Sequence, residues 1–84
     1  LLEELHGRQF EQIFTNPPFH VGVEINYAIS EALIGQSHAA LVPGGELILV
    51  ANRFIRYNTL MSTLFRNVRC IYQNKQYHVL AATK

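Results

Sequence analysis

Hydrophobic and polar positions change their spacing several times along this chain. Phe10-Glu-Gln-Ile-Phe-Thr15 alternates and carries Ile and two Phe, which predicts a short strand. Asn16-Pro17-Pro18 closes it, because two prolines remove two backbone donors and fix φ. From Val23 to Leu41 the apolar positions Ile25, Ala28, Ile29, Ala32, Leu33, Ala40 and Leu41 keep a helical period, predicting one amphipathic helix loosened at Gly35. Val42-Pro43-Gly44-Gly45 reads as a turn between helix and strand. Glu46-Leu-Ile-Leu-Val-Ala51 follows as an almost continuous apolar run, which suits a strand buried on both faces. Asn58 is placed to cap a shorter helix through Phe65, with Leu60, Met61, Leu64 and Phe65 inward. Val68–Gln73 and Tyr77–Thr83 read as two strands joined so tightly that the pair must be antiparallel. Within that pair, Tyr72 and Tyr77 are expected to pack across the hairpin, and Cys70 to be a small buried hydrophobe.

The predicted order is strand, helix, strand, helix, strand, strand. Such alternation implies an α/β sheet with right-handed crossovers, finished by an antiparallel hairpin. No repeat, low-complexity segment or linker divides residues 1–84, and residues 1–9 form a lead-in that Gly7 could close as a helix end. At 49% hydrophobic and 15% charged, the 84-residue composition is globular. A chain this short buries only about 60% of its unfolded surface, so it needs a staple, a metal or a partner. A disulfide within the chain is excluded, since Cys70 is the only cysteine, and His6, His20, His38 and His78 have no paired ligand spacing. What remains is a partner or a missing piece of the same domain. The first residue is not Met, which fits a chain beginning partway through a longer product. A net charge of +1 neither demands nor excludes nucleic acid. The lone cysteine, with no signal peptide and no long apolar stretch, places the expectation in the cytoplasm and away from membranes.

Thr15-Asn16-Pro17-Pro18-Phe19-His20 is the segment that carries chemistry. It begins where a parallel strand gives out, and open α/β sheets bind ligands outside the carboxyl ends of their strands. The Asn16 side chain offers one carbonyl acceptor and the Pro17 backbone a second, with no proline N–H competing. Two convergent acceptors match an amino group that donates two hydrogens. They would hold its lone pair toward an electrophile and accept positive charge developing on nitrogen. Phe19 can stack on a planar base or amide. On residue chemistry alone, a rigid Asn-Pro-Pro turn with Phe19 plugging the core accounts for the segment as well.

Asn-Pro-Pro-Phe closing a strand before a helix resembles the signature of Rossmann-like amino-methyltransferases, which act on adenine N6, glutamine N5 or guanine N2. The longer string Ile13-Phe-Thr-Asn-Pro-Pro-Phe-His20, with Val21-Gly22, Gly44-Gly-Glu-Leu47, Val50-Ala-Asn52 and Tyr77-His-Val-Leu-Ala-Ala81 in register, is most similar to the ribosomal RNA guanine-N2 methyltransferases. The likeness runs over residues 10 to 84. It implies the C-terminal half of a class I methyltransferase sheet, S-adenosylmethionine as methyl donor, and ribosomal RNA or the small subunit as partner. It further implies that Asn16 and Pro17 hold the guanine amine and that Phe19 stacks on or walls the base, with Pro18 and His20 beside the flipped nucleotide. Asn16 would also adjoin the donor. Taking the base out of its stack costs a few kcal/mol, part of which aromatic stacking recovers.

One part of the family pattern is missing. No Gly-x-Gly loop follows a strand and opens a helix, since Gly44-Gly45 follows a helix and precedes a strand. The main donor-binding loop is therefore outside these residues, and the chain alone is expected to be inactive. Arg53, Phe54, Arg56 and Tyr57 follow the strand ending at Asn52, on the same sheet end as Asn16, and are the best candidates for RNA-backbone contact. Scattered basic residues are also the ordinary content of a solvated face. Three other readings stay open: an adenine-N6 enzyme, a glutamine-N5 enzyme, and a truncated half-domain that associates through the edge left beside Ile13.

Overall fold

The structure, a computed structural model, describes residues 9–17, 20–21, 24–25 and 27–84. Residues 1–8 of the expected lead-in lie outside that set, as do Pro18, Phe19, Gly22, Val23 and Asn26. Its elements are β1 (Phe10–Thr15), β2 (His20–Val21), β3 (Glu24–Ile25), α1 (Tyr27–Ala40), β4 (Leu41–Asn52), α2 (Tyr57–Ser62), β5 (Arg66–Gln73) and β6 (Tyr77–Thr83). β2 and β3 pair with each other, and the remaining four strands form one sheet in the order β1-β4-β6-β5. β1 runs parallel to β4, with α1 in the connection, while β6 is antiparallel to both β4 and β5. The α/β class, the first strand and the closing hairpin stand as the sequence predicts.

Alternation along the strands sorts the core. Ile13 of β1, Leu47, Leu49 and Ala51 of β4, and Leu80 and Ala82 of β6 share one sheet face. They form a single cluster with Ile34 of α1, Met61 and Tyr57 of α2, and Ile55 and Phe65 beside α2. Both described helices thus cover the same face. The expectation that β4 is buried on both sides is met by Ile48 at 8% exposure, but no described helix lies over that second face. There Phe14 (71% exposed) stands opposite Ile48, and Ile48 opposite Ala81.

Several boundaries differ from the sequence expectation, each for a local reason. The predicted helix from Val23 begins instead at Tyr27, because Glu24 and Ile25 pair with Val21 and His20. Its buried stripe is Ser30, Leu33, Ile34, Ser37 and Ala40, leaving Ala28 and Ala32 exposed, and it runs unbroken through Gly35. Alanine gains little by burial, whereas Ser30 reaches the Tyr57 hydroxyl at 2.8 Å inside the core. Asn58 is no cap: Arg56 occupies that position without a side-chain bond, and the helix stops at Ser62. Leu64, expected inward, is exposed. Cys70 is also exposed, because β5 is an edge strand. Tyr72 faces Val79 rather than Tyr77, so the expected tyrosine pair does not form across the hairpin.

The Val42–Gly45 turn is absorbed into β4 as a bulge. Phe10 opposes Leu41 and Gln12 opposes Glu46, so four residues of β4 bulge out against Glu11. Gly44 takes φ 83°, and a Cβ on Gly45 would stand 2.9 Å from the Val42 carbonyl and 3.0 Å from that of Glu11. Lys84 straps the bulge: its backbone N–H donates to Gly45, its carbonyl accepts from Gly44, and its ammonium donates to the Leu41 carbonyl. No described helix is long and apolar enough to cross a membrane.

Candidate functional site

The parallel pairing of β1 and β4 brings their carboxyl ends to one end of the sheet. Thr15 lies opposite Leu49, so Asn16 and Pro17 leave β1 beside the last residues of β4. Asn16 is exposed, whereas Pro17 is fully buried. The burial of Pro17 fixes this end of β1 to the core, while Asn16 stays open to solvent. Pro18 and Phe19 fall outside the described residues. His20 starts the small ladder, opposite Ile25.

The end of β4 is built by an asparagine turn. The Asn52 side-chain oxygen accepts from the Phe54 backbone N–H at 2.9 Å, and the Asn52 carbonyl accepts from Ile55. Ile55 is buried and pins the turn to the core, so Arg53, Phe54 and Arg56 are left exposed. The Arg53 guanidinium sits 5.0 Å from the centre of the Phe54 ring, in the range of a cation–π contact. Among the described residues the salt bridge present is Arg69 with Glu46, which leaves Arg53 and Arg56 without a carboxylate in reach. Tyr57 does not belong with them: it is wholly buried, and its hydroxyl is paired with Ser30.

Other groups at this end were not evident from spacing. Asn52 holds the Arg53-Phe54 turn, which the asparagine at a strand end could have signalled. Behind Arg53 a cavity of about 290 Å³ opens between α2, β5 and β6, with Asn58 and His78 among its walls. His78 is buried, and burial first and the Arg53 charge second hold its pKa below the ordinary histidine value of 6.5. No sequence signal marks it, because its place in the wall depends on the register of β6 between β4 and β5.

The chain matches the model of the family described as "Methyltransferase small domain" over residues 1–81. It is 40% identical over 81 residues to the ribosomal RNA small subunit methyltransferase C of Alteromonas mediterranea, covering 94% of this chain and 22% of that protein. It is 42% identical over 72 residues to the protein of the same name from Pseudomonas putida, covering 86% and 22%. Among solved structures, the T. Thermophilus 16S rRNA N2 methyltransferase (RsmC), in complex with AdoMet and guanosine, matches with a TM-score of 0.80 and 34% identity. That match covers 94% of this chain and 21% of the other. The chain therefore spans about a fifth of the length of these relatives. With a family-model match over residues 1–81, and a described fold of a four-stranded sheet and two helices that superposes on the solved methyltransferase, the chain belongs to the methyltransferase small domain family.

Proposed function

We propose that this chain is the amine-gripping part of an S-adenosylmethionine-dependent methyltransferase that methylates guanine N2 in ribosomal RNA. The observation that carries this is Asn16-Pro17, one side chain exposed and the other buried, at the carboxyl end of a parallel strand. Its relatives named as small-subunit methyltransferases, one bound to AdoMet and guanosine, support the choice of donor and base.

In this reading the Asn16 side-chain oxygen and the Pro17 carbonyl each accept one hydrogen of the exocyclic amine. The nitrogen lone pair is thereby turned out of the base plane, and charge appearing on nitrogen falls between two acceptors. S-adenosylmethionine, when bound, supplies an electrophilic methyl group. Asn16 is this chain's own contribution next to it, since no glycine-rich loop occurs in the 84 residues. Phe19 walls the base, Pro18 and His20 line the nucleotide, and the proton leaves the amine to solvent after transfer. Arg53, Phe54 and Arg56 meet the RNA strand at the same sheet end. The protein would act in the cytoplasm, on naked RNA or the small subunit.

The remaining part of the domain supplies the donor loop and is the chain's first partner. Two features support it: β1 pairs on one side only among the described strands, and the face bearing Phe14 and Ile48 has no described helix over it. The same edge and face would serve self-association if no such part exists. The test is product analysis by mass spectrometry, using a protein that contains this chain, labelled S-adenosylmethionine and ribosomal RNA. N2-methylguanine is expected. Label in N6-methyladenine or in glutamine would move the chain to a neighbouring branch, and no donor-dependent label would leave the association module.

A further inference from the structure

The cavity behind Arg53 has a chemistry the motif does not use. Val68 and Leu80 form its apolar wall, and Arg53, Asn58, Cys70 and His78 supply its polar groups. Every one of those four can donate a hydrogen bond, and no acidic side chain of the described residues borders the space. Arg69, which also borders it, is already paired with Glu46.

His78 is the informative member. It is only 7% exposed, held between Ala51 of β4 and Gln73 of β5, and its Nε2 has no hydrogen-bond partner among the described residues. A buried ring nitrogen left unpaired is a cost to the fold, and in a cavity wall it can be met by a ligand atom. Among the described residues Arg53 stands beside it as a cation with no carboxylate in reach, and its backbone N–H donates to the Gln76 carbonyl in the turn between β5 and β6. A space of this volume is several times the share of about 30 Å³ that one water takes in the liquid. It admits a tetrahedral oxyanion with its waters.

We propose that this cavity receives a phosphoryl group of the RNA backbone, held by Arg53, Asn58 and His78. The assignment of RNA as the ligand rests on the methyltransferase reading above. The position agrees with it. The cavity opens at the sheet end that carries Asn16, and β6 and β5 lie two and three strands from β1. At about 4.8 Å per strand this is roughly 10 to 14 Å. That is too far for the reacting amine and near enough for a flanking phosphate of the same strand.

The test uses the full 84-residue chain and two probes. Inorganic phosphate, followed by nuclear magnetic resonance, is expected to shift the His78 ring signals saturably in the wild type and not in Arg53→Gln. A single-stranded RNA oligonucleotide, titrated at several salt concentrations, is expected to bind Arg53→Gln about tenfold more weakly. The slope of log affinity against log salt should shrink by about 0.7, one phosphate contact. Arg53 is exposed, so unchanged thermal unfolding of that variant shows that the fold is intact. Phosphate that leaves His78 unmoved overturns the proposal. A phosphate shift with an unchanged RNA salt slope overturns the RNA assignment and leaves a site for free phosphate. Methylation plays no part in either readout, so a failed product analysis and a failed phosphate site are told apart.

Discussion

His78, His38 and Tyr57 are neutral in the fold for the same reason, and that neutrality sets a pH window. Burial pushes both histidines below 6.5, with Arg53 adding to the effect at His78 and Lys84 at His38. The folded chain then binds these protons more weakly than the unfolded chain. As pH falls below about 6.5 the unfolded state gains protons and stability drops. Tyr57 is the mirror case. Burial raises its pKa above 10, the Ser30 bond works against that, and Tyr27 adds to it. Its folded state keeps the proton longer, so stability declines as pH rises through 10 and beyond. Urea unfolding at about pH 5.5, 7.5 and 10.5 should give the highest midpoint in the middle. Equal midpoints at about 5.5 and 7.5 would mean that the histidines titrate as they do in the unfolded chain. Little of this was legible in the sequence. Tyr57 reads as one of a basic and aromatic cluster because it follows Arg53, Phe54 and Arg56, but its partner Ser30 is 27 positions away. Cys70 misleads similarly, since only the strand order shows that β5 is an edge.

Among the elements, β4 joins what sequence reading separates. Val42-Pro43-Gly44-Gly45 has every mark of a turn, and it does turn, yet β1 pairs with β4 on both sides of it. Pro and Gly mark a break in local regularity; they cannot say whether a neighbouring strand bridges the break. Gly45 is the residue the bridge depends on, because a side chain there meets two backbone carbonyls that cannot swing aside. Gly45→Ala is expected to cost about 1–3 kcal/mol, the range of overpacking in a tight site. For a domain of this size each kcal/mol lowers the melting temperature by about 4–8 °C. A thermal scan that leaves the melting point in place would show that the bulge relaxes freely. The start of α1 misreads for a related reason. Ile25 fits the helical period, but the two-residue ladder with His20 claims it first. β1 and the β5–β6 hairpin were legible because compact alternation and a short link leave few alternatives.

At the scale of the molecule, the described helices cover one side of the sheet and leave the other side without a helix. α1 and α2 cover the face of Leu47 and Leu49, while Phe14 is exposed on the reverse and β1 ends the sheet. The α/β order, the parallel first pair and the place of Asn16 at a strand end followed from the sequence pattern. The phosphate cavity did not, because it needs three elements brought together by the register of β6. Such a half-covered sheet fits a chain that spans about a fifth of the length of its relatives. The most direct measurement is methyl transfer by a protein containing this chain, with Asn16→Ala against the wild type and donor binding followed in parallel. The account predicts that transfer falls by at least about 100-fold, the scale of losing one transition-state contact, while S-adenosylmethionine binding stays within a few-fold. Undiminished transfer in the variant would contradict it and remove Asn16 from the mechanism.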